Sequence, residues 1–388
     1  MRTSSSIMGR RAWLGRLVIT ILTASFALGA GGACLGGAGE PCPNESTIVD
    51  PSGARKVLSV PLPFEPGPMA VASGSGSALS VSRSGRIWLD EGGQGLYALT
   101  GSGLWRVDLA TLEKGRVGKL EPQAGRITGA EEGDALLVTD PQRGDLWILG
   151  PDGPSVRIPL GATPSAVAFG PGHRLAYVAN PGDWSLSLVD TGVGGPSSEE
   201  RMVLVGSARE GALLRLDGDG RPRARYEGLP SRLNDLALLE GGRKAVASYT
   251  ELITTGDPGV TGDGGLILHE GLCTIDLEDG TVETFTLPRP SDTSREASLA
   301  WPAAILPLGD GTVAVALPGW GMVAVMDLRP GSARRGELLR EIPVQGRPRD
   351  LALGALELDW LYVLDESGDT LSVVGSKGAV TNRLDLGR

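Results

Sequence analysis

Histidine is almost missing from this chain of 388 residues: His173 and His269 are the only two. That scarcity removes the usual ligand of zinc and copper sites and the usual residue of acid–base catalysis. Basic residues are outnumbered, 36 Lys and Arg against 46 Asp and Glu, leaving a formal charge of -10. Sequence-independent nucleic-acid binding needs a basic footprint and is excluded on that ground. Aromatic side chains make up only 4% of the residues, and cysteine stops at three. The chain also has no Cys-x-x-Cys-His for covalent haem, no Gly-x-Ser-x-Gly nucleophile elbow and no Gly-x-x-x-x-Gly-Lys phosphate loop. Its N-terminal apolar run, residues 17–28, is twelve residues long and too short for a membrane span.

What the chain does have is glycine, 59 of them, which fits many short strands and turns and few long helices. The first sixteen residues are rich in Ser and Arg, and the apolar run is followed by small residues up to Ala33. A charged start, a short apolar core and a small-residue cleavage site describe a secretory signal over 1–33. Residues 34–55, with Gly, Pro and Glu, read as a flexible tether, and 56–388 as the folded body. An exported chain tends to pair its thiols. Cys42 with Cys273 is one candidate disulfide; Cys34 with Cys42 is another, leaving Cys273 as a buried thiol.

The stretch 163–191 alternates apolar with small or polar residues in three runs separated by Gly, Pro, Asn and Asp. That is the signature of three antiparallel strands with tight turns. A glycine-led apolar run, often closed by Asp, recurs at 103–108, 144–149, 183–190, 211–217, 271–276, 321–327 and 368–374. The intervals, about 28 to 60 residues, suit four-stranded blades. A second strand precedes each, at 96–99, 135–139, 175–179, 202–205, 245–249, 312–316 and 361–364. Three copies show a further strand before that, at 164–169, 233–238 and 348–353, and outer strands are expected at 281–287 and 380–386. The expected fold is therefore all-β: a seven-bladed β-propeller of four-stranded antiparallel blades, preceded by a signal peptide and a flexible tether. Residues 56–63 and 69–82 lie ahead of the first unit. They are expected to give a strand to the last blade and close the ring, or else to form an extra partial blade.

Residues 164–190 resemble the YVTN-type propeller repeat: a Pro-led strand, then a Leu-x-Tyr-Val-x-Asn strand, here Leu175-Ala-Tyr-Val-Ala-Asn180, then a Ser-x-Val-x-Val-Asp strand, here Ser185-Leu-Ser-Leu-Val-Asp190. Residues 348–374 are similar, with Asp365 where Asn is usual. The likeness is partial over 95–161 and 301–327 and poor over 193–232. It implies a fold common in extracytoplasmic bacterial proteins and no single activity. Cys34, directly after Gly-Gly-Ala, resembles a bacterial lipobox whose cysteine becomes acylated, although Gly31 stands where Leu is usual. That likeness implies lipid anchoring in the cell envelope, in the periplasm or at the outer membrane; ordinary secretion after cleavage at Ala33 is the alternative.

In such rings the loops from second to third strand and from outer strand to next blade share the face where the axial channel opens. This places Asn180, Asp183, Trp184, Asn234, Asp235, Trp320, Arg349, Asp350 and Asp365 there as candidate ligand-binding residues. Asp140, Arg143, Arg209, Glu210, Arg126, Arg232, Arg295, Trp301, Arg347 and Glu366 join them on that face. Trp105, Trp147, Trp184 and Trp320 recur at matching places, which suggests packing between blades or an aromatic rim. The longest excursion, 250–265, carries Glu251, Asp257 and Asp263 but lacks the spacing of a calcium loop. The expected function is a non-catalytic scaffold binding a protein, an envelope component or a small ligand, with no cofactor and with membrane contact only through lipid on Cys34. The alternative rests on Leu233-Asn234-Asp235, which looks similar to the Asn-Asp step of gluconolactonase/regucalcin-type propellers. That likeness implies a metal-dependent lactonase in which Asn180, Asn234, Asp235 and Asp365 hold calcium or zinc.

Overall fold

A computed structural model describes residues 46–49 and 56–387, apart from 74–79, 84, 91–92, 118–124, 131–134, 151–155, 162, 171, 194–200, 255–265, 288–289, 291–298, 355–360, 366–369 and 376. Cys34, Cys42, Asp257, Asp263, Arg295 and Glu366, and with them the leader, lie outside the described residues. Among the described residues no helix is long and apolar enough to cross a membrane.

The body, in the unit Pro43–Arg388, is seven antiparallel sheets. Blade 1 runs, from axis to rim, Ile87–Leu89, Gly95–Thr100, Gly103–Asp108 and Lys114–Arg116. Blade 2 is Ile127–Gly129, Leu136–Asp140, Asp145–Leu149 and Val156–Pro159. Blades 5, 6 and 7 repeat the order: Leu233–Leu239 to Val282–Thr286, Ala304–Pro307 to Leu338–Pro343, and Pro348–Leu353 to Val380–Asp385. The inner strand of each blade touches the inner strands of its two neighbours, and blade 7 meets blade 1, so the ring closes. The strands expected from the repeat spacing are present within a residue or two, except that the second and third strands of blade 5 each run five residues further.

Alternation along each strand explains the packing. In Leu175–Asn180, Tyr177 and Ala179 face blade 4, while Ala176 and Val178 face blade 2. Because both faces of every blade are covered, both sets must be apolar or small. Seven buried apolar clusters result, one for each pair of adjacent blades. Tyrosine hydroxyls stitch two of these interfaces: Tyr177 Oη donates to Gly218 O and Tyr226 Oη to Leu277 O, each at 2.7 Å.

The aspartates that close the third strands cap the following turn on the face opposite the channel mouth. Asp108 Oδ1 accepts from Ala110 N and Thr111 N, Asp217 Oδ1 from Asp219 N and Arg221 N, and Asp276 Oδ1 from Glu278 N. These are Asx turns, which is why the repeat ends in Asp.

One expectation fails. The N-terminal strands do not go to the last blade, nor do they make a partial one. Lys56–Pro61 is the outer strand of blade 3, beside Ser185–Asp190, with Ser46–Val49 paired outside it. Pro66–Ser73 is the inner strand of blade 4, beside Arg201–Ser207. The reason lies in the spacing. The interval between the third strands of blades 3 and 4 is the shortest in the chain, about 28 residues, too little for four strands of five or six residues and their turns. Blade 3 lacks an outer strand of its own and blade 4 an inner one, whereas blade 7 already has four. This also accounts for the poor repeat match over 193–232.

Candidate functional site

Two features dominate the channel-mouth face. The first is a hairpin. The second and third strands of blade 5, Lys244–Thr254 and Leu266–Asp276, are each eleven residues long. The inner strand pairs only as far as Tyr249 and the outer one only as far as Gly271. Beyond them the pairs from Thr250↔Glu270 to Thr254↔Leu266 project from the face by roughly 17 Å at a strand's rise per residue. What the sequence suggests is a loop from residue 250 is thus strand for its first five residues.

The loops on either side grip the base of this hairpin. Arg232 O accepts from Thr250 N at 3.2 Å, Asn234 Nδ2 donates to Thr250 Oγ1 at 2.9 Å, and Ser231 N donates to Glu251 Oε1 at 3.1 Å. On the other strand, the Glu270 carboxylate accepts from Ala300 N at 2.6 Å and Trp301 N at 2.8 Å. Arg232 and Trp301, one in each gripping loop, both have left-handed backbones, φ 57° and 54°. That conformation is unfavourable for bulky side chains and persists only where neighbours over-determine it. Trp301 remains 45% exposed, and Leu252 on the hairpin 52% exposed. Arg232 and His269 are exposed with them. Below, Tyr249 and Cys273 are buried; burial raises the Tyr249 pKa and pushes the Cys273 thiol up to about 12, so it is an inert core residue in this fold.

The second feature is at the axis. Ser80–Arg83 pairs with Pro66–Ser73 on the side away from blade 4, as a fifth strand, and touches the inner strands of blades 3 and 5. Gly85 then forms a bridge to Ile127 of blade 2. Asp350 Oδ2 of blade 7 accepts from Arg86 N and from Ile87 N, the latter at 3.0 Å. Asp235 holds the matching place in blade 5 and accepts from Ile305 N of blade 6 at 2.8 Å. Both follow a register shift in their inner strand, which turns the carboxylate toward the next blade.

The sequence-expected residues therefore separate by role. Asp235 and Asp350 are buried and bind neighbouring backbone. Asn180 is buried, its Nδ2 donating to Ser185 Oγ and Ser187 Oγ, and Asp183 Oδ1 accepts from Ser185 Oγ at 2.6 Å. Asp140 caps its own turn through Gln142 N and Arg143 N. Trp320 is buried between blades 5 and 6, whereas Trp184 stands 48% exposed at φ 56° and its carbonyl accepts from Leu62 N. Arg349 and Asp365 are half-buried at the mouth end of blade 7, with Asp365 close over Gly346. Asn180, Asn234, Asp235 and Asp365 sit on blades 3, 5, 5 and 7, around an axis where Ser80–Arg83 runs. Asp235 is bonded to Ile305, while Asn180 is bonded within its own hairpin through Nδ2 only and its buried Oδ1 has no hydrogen-bond partner among the described residues. Among the described residues there is no group of three or more His, Cys, Asp or Glu able to hold a metal. Sequence reasoning missed Glu270, Leu252 and Gly85; only the Asp-Leu-Ala-Leu run shared by 235–238 and 350–353 marked the two clamping aspartates.

The chain is a seven-bladed β-propeller. Its structure is similar to that of Kuenenia stuttgartiensis hydrazine synthase, with TM-score 0.61 at 16% identity over 74% of this chain and 94% of that one. It is also similar to the β-propeller domain of Myceliophteria thermophila Cps50 (Swd1), with TM-score 0.50 at 15% identity over 75% of this chain and 96% of that one. At such identities the likeness is one of fold. No family model and no curated protein matches the sequence.

Proposed function

We propose that this propeller is an exported, non-catalytic scaffold that recognises its partner on the channel-mouth rim, with the blade 5 hairpin as the principal contact. The partner is a protein or another component of the cell envelope, with a small ligand on the same rim as the lesser form of the reading. The chain carries no resident cofactor in this reading and is held in the periplasm or at the outer membrane by lipid on Cys34, or is secreted. The observation that carries the reading is the braced hairpin base: the loops on either side hydrogen-bond to it, and Arg232, Trp301 and Leu252 are all exposed there. Exposed tryptophan and arginine on a rigid frame are the residue types that dominate binding energy at interfaces.

The test is capture from solubilised envelope with wild-type protein, Trp301→Ala and Arg232→Ala in parallel. A retained component that is lost about tenfold or more in either variant, with unchanged thermal stability, supports the rim. Equal capture by all three sinks it. Metal analysis and a lactone and ester screen on the same preparations separate the lactonase reading: bound calcium or zinc together with turnover abolished in Asn234→Ala or Asp235→Ala would replace the scaffold.

A further inference from the structure

In a seven-membered ring, blade 4 stands opposite the seam between blades 7 and 1. The chain that leaves the axial side of blade 4 at Arg83 is bonded to that opposite seam by Arg86 and Ile87. Arg83 and Ile87 are four positions apart, an interval over which extended chain spans up to roughly 13 Å. The direction is fixed by register. Ser80 lies beside Ser73 at the far end of the inner strand, and Arg83 beside Ala70 nearer its mouth end. Gly85 and Ile127 then exchange both backbone bonds, Gly85 N to Ile127 O at 3.1 Å and Ile127 N to Gly85 O at 2.7 Å, at the start of the blade 2 inner strand. This chain therefore crosses the channel at its mouth.

We propose that residues 80–83 and 85–87 form a strap that closes the axial channel, and that Asp350 is the latch that holds its far end. The main chain is satisfied at both ends: by the inner strand of blade 4 on one side, and by Ile127, Leu99 and Asp350 on the other, where Arg86 O accepts from Leu99 N at 2.7 Å. Asp350 is almost wholly buried, and its Oδ1 also accepts from Leu351 N at 2.8 Å, which orients Oδ2 toward the strap. A Cβ at position 85 would stand 2.6 Å from Asp350 Oδ2, so a side chain there would have to displace the latch. Asp235 is the internal control. It makes the same kind of clamp between blades 5 and 6, but its acceptor oxygen binds Ile305 N of the blade 6 inner strand, not the strap. With the strap in place, main chain occupies the axis at the mouth. Asp350 acts as a positioning residue through the strap. This inference stands apart from the rim reading, since it depends on the axis alone.

Hydrogen exchange on the full chain tests it, with wild type, Asp350→Ala, Asp350→Asn and Asp235→Ala compared. In the wild type the amides of Arg86 and Ile87 are protected. In Asp350→Ala that protection falls about tenfold or more while amides of blades 3 to 6 keep theirs, and trypsin gains cleavage after Arg86. Asp350→Asn, which keeps an acceptor oxygen, retains most of the protection and serves if the alanine variant does not fold. Asp235→Ala exposes Ile305 and leaves the strap protected. Free-peptide exchange at Arg86 and Ile87 in the wild type overturns the strap. A loss spread evenly over the ring in Asp350→Ala, or an equal loss at the strap in Asp235→Ala, overturns the latch.

Discussion

Between blades 3 and 4 the chain itself is the connection. One N-terminal run leaves as the outer strand of blade 3 and returns, after residues 62–65, as the inner strand of blade 4, with Phe64 sealed between them. Between blades 7 and 1 no strand is shared. That seam is an apolar cluster around Ile87, Leu96, Tyr362 and Leu371, the Asp350 clamp, and Lys114 Nζ donating to Asp385 O. The two ends of the repeat array thus meet through side chains, while the covalent lock lies in mid-ring. An interface crossed by main chain cannot part without stripping two strands from their sheets. One held by side chains parts when its contacts do.

The largest expected effect comes from removing the lock. A chain lacking residues 1–73 leaves blade 3 and blade 4 each short of a strand and exposes two sheet edges. It should show no cooperative melt by circular dichroism, and a peptide of residues 56–73 added in trans should restore one. A normal melt without the peptide would erase the distinction between the seams. Next, fully buried Phe64→Ala at the lock should cost about 3–5 kcal/mol, and Leu364→Ala at the open seam about 2–5 kcal/mol, both by urea titration. The sharper readout is local: Leu364→Ala should raise exchange in blades 1 and 7 first, Phe64→Ala throughout blades 3 and 4.

A smaller effect separates the two clamping aspartates. Asp350→Ala strands two backbone N–H groups of the neighbouring blade and should cost about 1–3 kcal/mol. Asp235→Ala strands Ile305 N and should cost less. Reversed order would argue that the 7–1 seam is already loose. The smallest effect belongs to neither seam. The Arg329 guanidinium, donating from Nε to Oδ1 at 2.9 Å, and then Ser332 hold the Asp327 carboxyl well below its ordinary value of 3.8. A folded value below the unfolded one means the stabilisation is complete above about pH 4 and is lost as pH falls through the folded value. Asp108, lowered by Thr111, and Asp217, where hydrogen bonds from Arg221 and Asp219 outweigh burial, add in the same direction. Urea midpoints from pH 7 to pH 2 should fall, and less steeply in Asp327→Asn; an unchanged slope would remove this turn from the account.

Much of this was readable in one dimension. Alternating runs at even spacing, with glycine before and Asp after, mark the second and third strands of all seven blades, because each blade must bury both faces and turn on a short Asx cap. The short interval before residue 211 already held the information that two strands were missing, but not where they came from. Strand donation joins residues more than a hundred positions apart, and local pattern has no term for that. The site divides the same way. Trp184, Trp301 and Arg232 were placed on the mouth from loop order alone, yet Trp184 and Trp320, alike in sequence context, end exposed and buried respectively because the 5–6 interface closes over one and not the other.

What the amino-acid order alone determined is the blade: which residues alternate, where they turn, how many sheets there are, since these follow from local periodicity and turn chemistry. What only the folded ring decided is occupancy. An N-terminal strand fills the gap in mid-ring and a passing chain takes the axis, because the unpaired backbone of an incomplete sheet has to be satisfied by whatever strand the closed ring brings beside it.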